Sequence, residues 1–350
     1  MNDLTNYKHI ILIIMTCLVF TLLITFYIKK IAKHIGAMDI PNKRKVHTKP
    51  MPRLGGLGIF LGFLFGYMLF GVHSIQMNSI LIGGFIIILV GVIDDIRPLE
   101  AKTKLLGQII AACVLIFYGN IVLDKITIFK LTISFGYLKY LITIIFVLGC
   151  INIINLIDGL DGLSSGTCAI FYLTIGIIAF IKSNIGGLEI TSSFIMLGST
   201  LGFLYHNFYP ATIFSGDSGS MFQGFMIATI SLLGFKTATF ISFFVPILIL
   251  GIPILDTLFA IIRRLIQKKP IYLPDKSHLH HQLLNLGLSH KNTVLAIYGM
   301  DLLFASASII YILKDKTLGK YIYLAIFFLI VWIILRTSII KEKPKENKEK

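Results

Sequence analysis

Runs of about twenty apolar residues recur along the whole of this 350-residue chain, and they leave it few ways to fold. A run of that length crosses a bilayer as a helix, because a helix pairs its backbone amides internally and an unpaired amide in hydrocarbon is costly. Hydropathy places spans near residues 8–28, 54–72, 77–93, 105–122, 138–154, 164–181, 190–206, 219–235, 239–262, 292–313 and 320–338. The expected fold class is an all-α polytopic membrane protein with about 11 transmembrane helices. Composition agrees: only 14% of residues are charged, against about 25% in a soluble domain.

Between the fourth and fifth spans, residues 121–137 (IVLDKITIFKLTISFGY) alternate and are rich in Ile and Thr. That pattern predicts a short β-hairpin outside the membrane. Orientation follows from Lys and Arg, which favour the cytoplasmic side. With the connector 29–53 inside, parity puts about 23 of the 32 basic residues inside and about 9 outside. The N-terminus is then outside and the C-terminus cytoplasmic. The formal net charge of +15 is explained by these connectors, so no nucleic-acid partner is expected. The first apolar run is long enough to stay as a span, and no cleavable signal peptide is expected. Residues 1–340 read as one transmembrane catalytic domain and 341–350 as a charged cytoplasmic tail. Cys17, Cys113, Cys150 and Cys168 lie in or beside apolar runs without CxxC spacing, which reads as small buried residues rather than disulfides or a metal site.

The acidic residues fall on the inner connectors. Asp94 and Asp95 end the third span in GVIDDIRP; Asp158 and Asp161 lie in NIINLIDGLDGL; Asp217 lies in IFSGDSGS. The basic and imidazole groups lie in PNKRKVHTKPMPRLGG and RRLIQKKPIYLPDKSHLHHQLLNLG, also inside. Taken singly, each has a bland reading as a solvated helix end or a turn. Convergence on one face reads as a single site, since ionisable groups near a membrane are costly and usually functional. Asp158 and Asp161 would share a face if they lay on a helical turn. The SGDSGS segment resembles an anion-binding loop, with amides and hydroxyls able to face phosphate. Asp217 within it suits Mg²⁺, which takes one or two carboxylates plus phosphate oxygens. His278, His280 and His281 lack the i,i+4 spacing of helical zinc sites and fit contact with phosphate better. From the residues alone, the chemistry is Mg²⁺-dependent phosphotransfer at the inner membrane face.

In order along the chain, GVIDD, NIINLIDGLDGL, GFLYHNFYPATIFSGDSGS and SHLHHQLLNLG resemble the polyprenyl-phosphate N-acetylhexosamine-1-phosphate transferases. The resemblance runs from about Asp39 to Gly287. DIPNKRKVH, PMPRLGG and PDKSHLHHQL resemble the WecA/TagO branch, whereas the TPTMGG segment and three consecutive His of the MraY branch are absent. What the resemblance implies is transfer of GlcNAc-1-phosphate from UDP-GlcNAc to undecaprenyl phosphate, giving undecaprenyl-pyrophosphoryl-GlcNAc and UMP. Such a step would initiate a teichoic acid or polysaccharide pathway at the bacterial cytoplasmic membrane.

By the same resemblance Asp217 is the Mg²⁺ ligand, with Mn²⁺ a substitute, and Asp94 and Asp95 are the acidic pair near the acceptor phosphate. Lys104 lies near that pair. Asn155, Asp158, Asp161, Asn207 and Phe214 line the nucleotide site, with Phe214 near the uracil. His278, His280 and His281, with Arg263 or Arg264, hold the diphosphate and sugar. His206 carries no expected role, and a homodimer is left open. The alternatives are a phospho-MurNAc-pentapeptide transferase and, from another class, a transporter of lipid-linked or nucleotide sugars. A transporter predicts ionisable groups near the midplane and on both faces.

Overall fold

In this computed structural model the structure describes residues 2–41, 50–128, 131–183, 187–234, 279–314, 317–319 and 321–326, with residues 251, 254, 255, 257, 261, 264 and 328 singly. The expected spans 239–262 and 320–338 therefore lie largely outside the described residues, and the tail 341–350 wholly so. Helices α1 (Asn2–His34), α2 (Gly55–Phe70), α3 (Ile75–Ile96) and α4 (Ala101–Cys113) are followed by α5 (Leu138–Ile157), α6 (Leu163–Ser183), α7 (Leu188–Asn207) and α8 (Gly216–Gly234). After these come α9 (Leu279–Asn285) and α10 (His290–Leu313). Helix α4 runs on through a π-helical turn, Val114–Tyr118. Two short antiparallel pairs complete the list: β1 (Met38–Asp39) with β2 (Met51–Pro52), and β3 (Lys125–Ile128) with β4 (Leu131–Ser134). The second pair lies within the stretch expected to form a hairpin, with Lys125 opposite Ser134.

Among the described residues, seven helices are long and apolar enough to cross a membrane. Their outward faces stay apolar, as with Ile11, Met15 and Val19 on α1 and Phe85 and Leu89 on α3. A bilayer accepts such surface where water would not.

Helix α8 is not one of the seven, and its environment explains why. It packs against α2, α3, α5, α6 and α7, so it meets protein rather than lipid and tolerates buried Ser218, Ser220, Gln223, Thr229 and Ser231. Local bonds satisfy the hydroxyls: Thr229 Oγ1 donates to Phe225 O at 2.8 Å and Ser231 Oγ to Ile227 O at 2.6 Å. Close approach at its N-terminus depends on glycine. A Cβ at Gly56 would overlap the backbone of Ser218 and Gly219, and one at Gly91 would overlap Ser218. The bundle is thus threaded by one shielded polar helix whose first turn meets the ends of α2 and α3.

Candidate active site

The first turn of α8 carries Asp217, and its amide groups point at a carboxylate from α3. Asp217 N–H donates to Asp95 Oδ1 at 2.8 Å, while Ser218 N–H and Oγ donate to Asp95 Oδ2 at 3.2 and 2.6 Å. Helix N-termini favour anions because their first amides lack intrahelical partners. The SGDSGS amides, expected to face a phosphate, are therefore occupied by the chain's own Asp95. Gly216, at φ +70, makes the turn possible, and a Cβ there would run into the Asp95 carboxylate.

Asp94, Asp95 and Asp217 each offer an oxygen within 4.8 Å of the others. Lys104 Nζ lies 2.8 Å from Asp217 Oδ2 and 3.5 Å from Asp94 Oδ1. Asp94 Oδ1 also accepts the Leu99 amide at 2.7 Å. Burial pushes the Asp217 carboxyl upward, but Lys104, then hydrogen bonding with Asp94, then Arg53 more than offset it, leaving it below the ordinary carboxylate value. A cluster of hard oxygen donors suits a divalent cation such as Mg²⁺. Since Asp95 is engaged by α8, Asp217 and Asp94 are the residues placed to hold one.

Arg53 is a member of this cluster that the reading of the sequence passed over. Its guanidinium stands 3.3 Å from Asp95, 3.6 Å from Asp217 and 3.6 Å from Asp39. Nothing in spacing ties residue 53 to residue 217. The available signal was its setting, an Arg before two Gly in the inner PMPRLGG segment. The backbone supplies the link: Arg53 pairs in parallel with Phe214, Phe214 N–H donates to Pro52 O at 2.8 Å, and Gly55 N–H donates to Phe214 O at 3.0 Å.

The remaining predicted residues gather at the same end of the bundle. Asn155 Nδ2 donates to Ser220 Oγ at 2.8 Å, joining α5 to α8. Asn207 Nδ2 donates to Ile213 O at 3.0 Å and its Oδ1 accepts from Ser165 at 3.3 Å. Asp158 and Asp161 do not share a helical face. The helix ends at Ile157, Asp158 takes ψ 52 as its cap, and Gly162 turns at φ +78. Asp158 instead accepts from Ser164 Oγ, while Asp161 Oδ2 accepts the Ala211 amide at 3.0 Å. Asp158 keeps part of its surface open, yet the protein packed round its carboxyl pushes it up to about 7, against the Ser164 hydrogen bond.

His280 is buried against the same turn, where a Cβ at Gly159 would come within 2.7 Å of its Nε2. The His281 ring lies 4.3 Å from that of His280. Arg264 is buried; Arg263 and His278 lie outside the described residues. Two histidines given no role are structural. His290 Nε2 accepts the Asp161 amide at 2.9 Å, tying α10 to the DGLDG turn. His206 contacts Leu22 O through Nε2 at 2.9 Å and Lys29 Nζ through Nδ1 at 3.0 Å. Because a carbonyl only accepts, Nε2 carries the proton and Nδ1 accepts from Lys29.

Comparison with known proteins settles the family. The profile described as glycosyl transferase family 4 matches residues 77–235, a stretch that holds Asp94, Asp95, Lys104, Asp158 and Asp217. Over 344 residues, 96% of this chain and 94% of the relative, the sequence is 42% identical to a probable undecaprenyl-phosphate N-acetylglucosaminyl 1-phosphate transferase of Bacillus subtilis (strain 168). The chain belongs to the polyprenyl-phosphate N-acetylhexosamine-1-phosphate transferase superfamily. It is also 32% identical to a decaprenyl-phosphate N-acetylglucosaminephosphotransferase of Mycobacterium tuberculosis (strain CDC 1551 / Oshkosh), covering 88% of this chain and 84% of the relative. An undecaprenyl-phosphate alpha-N-acetylglucosaminyl 1-phosphate transferase of Escherichia coli O157:H7 is 28% identical across 83% of this chain and 81% of its own length. As a superfamily member the protein is a glycosyl-1-phosphate transferase, and its apolar helices make it a multi-pass membrane protein.

Proposed function

We propose that the protein transfers GlcNAc-1-phosphate from UDP-GlcNAc to undecaprenyl phosphate at the cytoplasmic membrane face, releasing UMP. The observation that carries this reading is the meeting of Asp94, Asp95, Asp217 and Lys104 at one end of the bundle. The similarity to the Bacillus subtilis relative along nearly the whole chain supports the donor and acceptor.

An oxygen of the lipid phosphate attacks the donor's β-phosphorus, and the bond from that phosphorus to the bridging oxygen breaks, leaving with UMP. The attacking oxygen is already anionic at neutral pH, so no proton need be taken from it. One phosphoanhydride replaces another, and catalysis rests on positioning and charge neutralisation. Bound Mg²⁺ would supply Lewis-acid charge stabilisation to the diphosphate. Asp217 and Asp94 would hold it, Lys104 would neutralise charge beside them, and Asp95 would fix the first turn of α8. Asn155, Asp158, Asp161, Asn207 and Phe214 would receive the nucleotide, and the His loop with Arg264 the sugar and diphosphate.

Competition between labelled UDP-GlcNAc and unlabelled UDP-MurNAc-pentapeptide in vesicles tests the donor. Label in lipid that persists under excess pentapeptide donor fits the proposal; label displaced by it moves the protein to the sister branch.

A further inference from the structure

We infer that Arg53 is a catalytic residue of this transfer, the cation that receives the donor's β-phosphate. The inference rests on the UDP-sugar reading above and adds a residue to it. Its backbone is held on both sides, by Arg53 N–H donating to Ala37 O at 3.0 Å and by the parallel pairing with Phe214. The side chain is therefore aimed, with its guanidinium among carboxylates from β1, α3 and α8.

What that guanidinium lacks is a short bond in any of these pairs. Charge-assisted contacts close to about 2.7–2.9 Å, and Lys104 reaches Asp217 at 2.8 Å. Arg53 stands at 3.3–3.6 Å from all three partners. Asp95 has short bonds from other partners, since the amides of Asp217 and Ser218 and the Ser218 hydroxyl bond its two oxygens at 2.6–3.2 Å. A guanidinium offers five N–H donors in a planar fork that matches phosphate oxygens, as a lysine ammonium does not. With 23% of its side chain exposed, Arg53 is loosely parked beside Asp217 and open to an incoming anion. A purely structural counter-charge would instead be expected to close on Asp95.

The test is calorimetric binding of UDP and of UMP to the wild-type protein and to Arg53→Lys in detergent with Mg²⁺, beside melting temperatures. UDP carries the β-phosphate and UMP does not. The expected result is an unchanged melting temperature, UDP binding weakened about tenfold to a hundredfold, and UMP binding changed by no more than about threefold. Unchanged UDP affinity, or equal losses for UDP and UMP, would overturn the assignment. Asp39→Asn removes one carboxylate holding the guanidinium back and is expected to keep or tighten UDP binding. Should Arg53→Lys fail to fold, weakened UDP binding in a folded Asp39→Asn protein would overturn the assignment in its place. A wild-type protein that binds neither nucleotide would remove the donor reading and this inference together. An unaltered variant beside a binding wild type removes this inference alone.

Discussion

Both oxygens of Asp95 are taken by the first turn of α8, whereas Asp94 accepts one amide, from Leu99, and faces Lys104. Asp95→Ala strands two amides and a hydroxyl, and a buried polar group left unsatisfied costs about 1–3 kcal/mol. Asp95→Ala should therefore lower the melting temperature in detergent clearly more than Asp94→Ala does, although both lose transfer. Equal melting temperatures would contradict the capping role. Asp158 gives a pH signature. Its folded value of about 7 stands above its ordinary 3.8, so the folded state binds the proton more tightly than the unfolded chain. Its contribution is full below about 4 and lost as pH rises through about 7. Stability should fall between about pH 4 and 7, and Asp158→Asn should flatten that slope in thermal melts. The carboxylates could be found from their place at span ends. Arg53 could not, because it reaches Asp217 only through the backbone pairing of residues 52–56 with 214 and 215.

Helices α2, α3 and α8 meet where Gly56, Gly91 and Gly219 leave room for backbone contact. Gly91→Ala puts a methyl group into the Ser218 backbone, and overpacking of this kind costs about 1–3 kcal/mol. It should depress both stability and transfer, though Gly91 bears no reactive group. Gly149→Ala, where a Cβ meets nothing within 4 Å, should leave both unchanged. Loss of activity in both variants alike would remove the packing argument. The apolar runs made the lipid-facing helices legible. Helix α8 left a weaker trace because it is wrapped in protein, and its polar side chains answer to neighbours rather than to lipid. The geometry of Asp158 and Asp161 was hidden for another reason: three-residue spacing fits a helix or a turn, and Gly159 and Gly162 chose the turn.

Across the molecule, the C-terminal ends of α3, α5 and α7 and the N-terminal ends of α2, α4, α6, α8 and α10 meet at one end of the bundle. That alternation is what a site at a single membrane face requires. Asp301 departs from that pattern, buried midway along α10 with Thr167 Oγ1 donating to its Oδ2 at 2.7 Å. A mid-helix carboxylate is what a transporter would use. In an enzyme it is a clasp between α10 and α6. Asp301→Asn retains an acceptor for Thr167, so transfer should persist within about threefold, given the about 1 kcal/mol net worth of one hydrogen bond. Abolished transfer in a folded variant would make a proton-coupled role live again.

Radiolabel followed from UDP-GlcNAc into undecaprenyl phosphate in detergent, with Mg²⁺ and then with EDTA, for wild type and Asp217→Asn, is the decisive measurement. Labelled lipid and released UMP are expected from the wild type, lost on chelation, and none from a folded Asp217→Asn protein. Transfer that survives EDTA, or that Asp217→Asn retains, would contradict a metal held at this carboxylate cluster.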